Sequence, residues 1–140
     1  MIVEQLATGE IGHLLDVFNE SRLHADGLSS VAASVVDFQA QLEGECTFVA
    51  KLDCRAVGFV SVWSDNNFVH HLYVLPDFQN QGVGSALLKK CLDRFGLPLR
   101  LKCGKSNRAA RNYYENAGWL RESEKIGPDG PYINYRLGEA

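Results

Sequence analysis

Apolar positions along the chain keep two different spacings, and these divide it into elements. Ile2 to Leu6 reads as a short strand. From Glu10, the residues Ile11, Leu14, Leu15 and Phe18 keep helical spacing, with an N-cap region at Thr8. Asp26-Gly27 and Ser29-Ser30 break that helix. Val31 to Leu42 is helical again, with Val35, Phe38 and Leu42 on one side. Cys46 to Leu52 and Ala56 to Trp63 form a hairpin around Asp53-Cys54-Arg55, and Ser64-Asp65-Asn66-Asn67 makes a second turn. Phe68 to Leu75 is almost wholly β-branched, aromatic or aliphatic, which suits a buried strand. Pro76-Asp77-Phe78 ends it, because proline has no N–H to continue a ladder.

The following helix has the most regular pattern. Val83, Leu87, Cys91 and Phe95 recur every four residues, with Leu88 and Leu92 beside them, while Lys89, Lys90, Asp93 and Arg94 fall on the other side. Leu99 to Cys103 begins another strand. Ser106 or Asn107 caps a last helix whose inner face is Ala110, Tyr113, Tyr114 and Ala117, and Gly118 sits at its C′ position. Trp119 to Ile126 and Pro131 to Leu137 close as a hairpin over Gly127-Pro128-Asp129-Gly130. The order is β-α-α-β-β-β-α-β-α-β-β, an α/β sandwich. The 140 residues suit one domain, 1–140, with a core of its own.

Composition narrows the function. Hydrophobic residues at 46% and charged residues at 22% are those of an ordinary globular protein. No segment approaches the apolar length of a membrane span. The start, MIVEQLATGEIG, lacks the basic and apolar regions of a signal peptide. Cys46, Cys54, Cys91 and Cys103 show no C-x-x-C spacing, so no metal site is expected. Scattered single cysteines suggest reduced thiols in the cytoplasm. A net charge of −3 with no basic stripe argues against nucleic acid as a partner.

Gly82 and Gly84 stand where the strand from Phe68 gives way to the helix. The first N–H groups of a helix have no partner inside it and carry the positive end of its dipole. Glycines let an anion approach that backbone, so the pair proposes a phosphate site. A P-loop would need Lys and Ser/Thr after the second glycine, where Ser85-Ala86 stands. A dinucleotide fingerprint would need a third glycine at Leu87.

The wider stretch Leu72-Tyr73-Val74-x-Pro76-x-x-Gln79-x-x-Gly82-x-Gly84 resembles the acetyl-CoA signature of the GCN5-related N-acetyltransferases, the GNAT family. Asn107-x-x-Ala110-x-x-Tyr113-Tyr114-Glu115-x-x-Gly118-Trp119 resembles that family's next motif, with Trp119 in place of the usual Phe. The resemblance covers about residues 46 to 120. It implies a GNAT-like mixed central sheet flanked by helices and splayed between Phe68–Leu75 and Leu99–Cys103. It also implies transfer of the acetyl group of acetyl-CoA to a primary amine in a ternary complex, without a metal. The acceptor would be a small molecule or a protein amine. The alternative is a module of the same fold that binds acyl-CoA as a sensor or scaffold without turnover. Family members often pair through an edge strand or the C-terminal hairpin, so a homodimer is expected.

By the same resemblance, Leu72, Tyr73 and Val74 would align the pantetheine arm, with an N–H near Val74 polarising the thioester carbonyl. Gln79, Asn80 and the N–H groups from Gln81 through Gly82, Val83, Gly84 and Ser85 to Ala86 would hold the pyrophosphate. Asn107 would bond the pantetheine arm or simply cap its helix. Tyr114 would protonate the departing thiolate, and the core-aromatic reading is enough for Tyr113. The general base would project from the strand before the phosphate loop, where His70 and His71 stand; the alternative is a water chain or another residue. Strand alternation puts His70 with Phe68, Leu72 and Val74, and His71 with Val69, Tyr73 and Leu75, so one imidazole at most would face the cleft. The face of His70 matches the family position. Cys103 reads as a buried, inert thiol. Arg22, His24, Asp26 and Gln39 are candidates for lining the acceptor cleft.

Overall fold

The computed structural model describes residues 1–26 and 32–139, the side chains of 24–26 excepted. Strand β1 (Ile2–Gln5) leads to helices α1 (Ile11–Asp26) and α2 (Val35–Leu42). Strands β2 (Cys46–Leu52), β3 (Arg55–Trp63) and β4 (Phe68–Val74) follow. A 3-10 turn at Pro76–Phe78 leads to α3 (Val83–Phe95), β5 (Leu99–Gly104), α4 (Arg108–Asn116), β6 (Leu120–Gly127) and β7 (Gly130–Leu137). The expected element order is reproduced.

All seven strands lie in one mixed sheet, ordered β1-β2-β3-β4-β5-β7-β6. Asp53 and Cys54, both with positive φ, make the two-residue turn that joins β2 to β3 with Leu52 opposite Arg55. Positive φ at both turn residues matches the twist of the flanking strands. Among the described residues the one parallel contact is β4 with β5, and only Phe68↔Arg100 and Val69↔Leu101 pair there. Beyond those residues the strands separate, which is the expected splay.

Helices α1 and α2 cover one face. Phe18 stacks on Phe38 at 4.8 Å and lies 6.4 Å from Phe59 of β3. On the other face α3 buries Val83, Leu87, Leu88 and Cys91, as its period predicts. Gly58 of β3 allows that approach. A Cβ there would lie 3.0 Å from the Val83 side chain and 3.3 Å from that of Leu87.

Three local expectations change. Helix α2 starts at Val35 because the Ser34 hydroxyl accepts the Asp37 N–H at 3.1 Å; Val31 and the break at 27–30 lie outside the described residues. Thr8 sits in a turn before α1, where the Glu10 carboxylate accepts the Ala7 N–H at 2.9 Å. Tyr113 and Ala117 are exposed. The packed side of α4 is Tyr114, whose ring lies 5.7 Å from Trp119 and 5.9 Å from Tyr135.

Candidate functional site

The separation of β4 from β5 opens a cleft of about 580 Å³ between the strands, the start of α3 and the inner side of α4. Backbone geometry on its β4 wall follows from one hydrogen bond. The Leu75 N–H donates to the Val57 carbonyl at 2.8 Å, so the opposed residues Gly58 and Val74 do not exchange bonds. Alternation then turns the N–H and C=O of Leu72 and Val74 away from β3, into the splay. There β5 does not pair with them. The Val74 carbonyl is already taken by the Ser21 hydroxyl and the Gln79 side-chain amide, each at 3.1 Å. Its N–H keeps the cleft-facing position. Tyr73 lines the cleft but turns its main chain to β3, and its ring meets Phe18 at 5.2 Å on the helical side.

The floor ends at α3. Gly82 takes the left-handed conformation (φ +85°) as N-cap, and no side chain caps the turn. The first N–H groups of the helix are therefore left without a side-chain partner at the cleft mouth. Gly84 has ordinary backbone, and a Cβ there would meet nothing closer than 3.9 Å. The fold itself does not require glycine at Gly84. Of the expected phosphate-loop residues, Gln79, Asn80, Gly82, Val83, Gly84 and Ser85 line the cleft. Gln81 does not: its amide donates to the Asp77 carbonyl. Nor does Ala86, whose N–H closes the first helical bond, to Gly82. Val83 also turns its side chain into the core.

Across the cleft, Asn107 caps α4 by accepting the Ala110 N–H at 3.2 Å, and it lines the cleft as well. The two hydroxyls of Ser85 and Tyr113, 2.6 Å apart, tie the first turn of α3 to α4. Tyr113 is thus an exposed polar link and not a core aromatic. Tyr114 borders the cleft in the aromatic cluster, and burial pushes its phenol well above the usual tyrosine range. Cys103 is buried beside it, and burial raises its thiol too.

The two histidines depart from strand alternation. The register slips between Ser61↔His71 and Val62↔Val69, so His70 is the extra residue of a β-bulge. As a result both imidazoles come to one carboxylate, Glu45. Its Oε2 lies 2.5 Å from His70 Nδ1 and its Oε1 3.9 Å from His71 Nδ1. The bulge resets the pleat, so strand alternation does not separate the two rings at this carboxylate. Their surroundings still differ. His70 lines the cleft with its side chain 43% exposed. His71 is packed among Phe18, Phe59 and Tyr73 and does not line the cleft. Its Nδ1 lies 2.6 Å from the Ser61 hydroxyl and its Nε2 3.2 Å from Gln41 Oε1. Burial lowers its pKa, with Glu45 opposing that shift.

Glu45, Ser61, Gln41, Ser21 and Cys103 belong to this region without a sequence signal that marked them as ligand-facing. They come from four different elements and one loop, and only the fold brings them together. Gln39 lies on α2 in a separate groove with Glu45 and Thr47. The side chain of Arg22 stacks over Phe18 at 4.7 Å. The side chains of His24 and Asp26 lie outside the described residues. Among the described residues, no cluster of His, Cys, Asp and Glu gathers as a metal-ligand set, and no helix is long and apolar enough to cross a membrane.

A sequence model of the acetyltransferase (GNAT) family matches residues 13–119. An uncharacterized N-acetyltransferase of Archaeoglobus fulgidus is 34% identical over 94 residues, 56% of this chain, and the match spans 62% of that protein's length. The ribosomal-protein-S18-alanine N-acetyltransferase of Escherichia coli superposes with a TM-score of 0.77 at 23% identity, covering 97% of this chain and 92% of that one. A putative acetyltransferase of Salmonella typhimurium, solved with acetyl-CoA, superposes with a TM-score of 0.76 at 18% identity, covering 98% and 92%. At these identities the two solved structures speak for the fold.

Proposed function

The chain belongs to the acetyltransferase (GNAT) family, and from that premise we propose that it transfers the acetyl group of acetyl-CoA to a primary amine as a single domain. The observation that carries this reading is the cleft itself. It has a strand edge at Leu72 and Val74 that β5 does not pair, continuous with the uncapped helix start at Gly82. The edge offers amide groups to the pantetheine arm, and the helix start offers N–H donors to the pyrophosphate. The Salmonella protein solved with acetyl-CoA supports the same choice of cosubstrate.

The chemistry then divides among few groups. The Val74 N–H stabilises negative charge growing on the thioester oxygen. His70 takes a proton from the ammonium form of the acceptor, and the neutral amine attacks the carbonyl carbon. The C–N bond forms and the C–S bond breaks. Tyr114, held protonated by burial, donates its O–H to the departing sulfur. His71 suits this role less, since Ser61 and Gln41 occupy both its nitrogens.

The test is release of free CoA from acetyl-CoA with polyamines, amino acids, aminoglycosides and short peptides offered in turn. Release with one class is the expected result and names the acceptor. Acetyl-CoA binding without release across the whole panel would favour the sensor or scaffold reading. Failure to bind acetyl-CoA would reject both.

A further inference from the structure

We propose that Glu45 is a positioning residue for this site: its carboxylate holds His70 as the Nδ1–H tautomer and so presents Nε2 to the cleft as the proton acceptor. The inference rests on the acetyltransferase reading above.

Glu45 stands at the entry to β2, 25 residues before His70 in the chain. Its side chain is only 5% exposed. A carboxylate so far out of water needs partners, and each oxygen left without one is costly. Oε1 is buried and makes no hydrogen bond. Oε2 has one short contact, His70 Nδ1 at 2.5 Å. His71 does not relieve Oε1. At 3.9 Å its Nδ1 is beyond hydrogen-bond reach, and it lies 2.6 Å from the Ser61 hydroxyl. With Gln41 accepting from Nε2–H of His71, its Nδ1 is the acceptor and Ser61 the donor. His71 therefore closes its own network, and His70 is the group that answers the buried charge.

The consequence for His70 is chemical. A carboxylate can only accept, so the proton shared with it sits on Nδ1. The nitrogen that keeps a lone pair is then Nε2, on a ring that borders the cleft. A carboxylate behind Nδ1 also lies where positive charge would spread when Nε2 takes a proton. The bulge at His70 lets both rings approach Glu45. Regular alternation would have sent His70 and His71 to opposite faces, with one of them out of reach of Glu45.

Nitrogen-15 NMR of the full chain labelled in histidine reads the tautomer directly, at alkaline pH where the rings are neutral. His70→Gln and His71→Gln spectra assign the signals. The expected wild-type pattern is Nδ1 protonated and Nε2 bare at His70, against the Nε2–H tautomer that a free histidine side chain prefers. Glu45→Ala should return His70 to Nε2–H. A wild-type His70 already in the Nε2–H form would overturn the proposal, and so would a Glu45→Ala spectrum unchanged at His70. With an amine that releases CoA from the wild type, Glu45→Ala should lower kcat at least tenfold, part of the ~10²–10⁴ that a positioned base contributes. KM for acetyl-CoA should hold, because the substitution lies away from the phosphate loop. A changed KM with kcat at the wild-type value would overturn the assignment. The NMR arm requires no acceptor, so the acetyltransferase reading can fail on acetyl-CoA binding while this one is decided separately.

Discussion

At the scale of single residues, the two loop glycines separate into different roles. Gly82 needs its hydrogen side chain for conformation, since φ +85° strains any residue with a Cβ. Gly84 has neither strain nor crowding, so only an approaching ligand gives a reason for glycine there. Gly84→Asp should therefore weaken acetyl-CoA binding by calorimetry at least tenfold while leaving Tm within a degree or two. Unchanged affinity would remove the phosphate-loop assignment. Tyr114 offers a second separation. Its ring fills the aromatic cluster with Trp119 and Tyr135, and its hydroxyl serves chemistry. Tyr114→Phe keeps the ring, so kcat should drop by roughly 10²-fold, within the range of a general acid, with acetyl-CoA affinity nearly constant. Wild-type turnover would reject the acid.

At the scale of elements, α3 is placed by Gly58 as much as by its own apolar stripe. A methyl at Gly58 would stand 3.0 Å from the Tyr73 carbonyl and from the Val83 side chain. The Tyr73 carbonyl belongs to β4 and cannot give way as a side chain can. Gly58→Ala should thus destabilise the fold by about 1–3 kcal/mol, the usual cost of overpacking. It should also weaken acetyl-CoA binding, because Val83 opens the helix whose start forms the cleft mouth. Denaturant unfolding beside calorimetry checks both; loss of stability with intact affinity would show that α3 shifts without moving its first turn. The strand β4 is likewise shaped by its partner. Its bulge at His70 follows from the register with β3, and the free edge at Leu72 and Val74 follows from the separation of β5.

At the scale of the whole molecule, acid sensitivity follows from one buried ring. The folded chain resists protonating His71, while the unfolded chain takes that proton near the ordinary 6.5. Below that pH the unfolded state binds more protons, so stability rises with pH through this window and is lost as pH falls. The charged and titratable groups around the ring are Glu45, His70 and Arg22, of which Glu45 opposes the shift. Glu10, Glu115, Glu122 and Glu124, all lowered by partners, act with the same sign, but their window opens below 4.5. Melting curves between pH 7 and 5 should show Tm falling in the wild type and a flatter course in His71→Asn; equal slopes would exclude His71 as the source. The sequence by itself determined the element order, the apolar face of α3, a polar cap at Ser106 or Asn107 and the strand–glycine–helix passage, because these depend on local spacing and turn chemistry. Tertiary structure alone decided that β5 leaves β4 after Val69 and that Tyr113 is a polar link. It also decided that Glu45 meets both histidines. Those outcomes depend on which strand pairs with which, and at what register, and residues 25 apart in the chain carry no periodic mark of that contact.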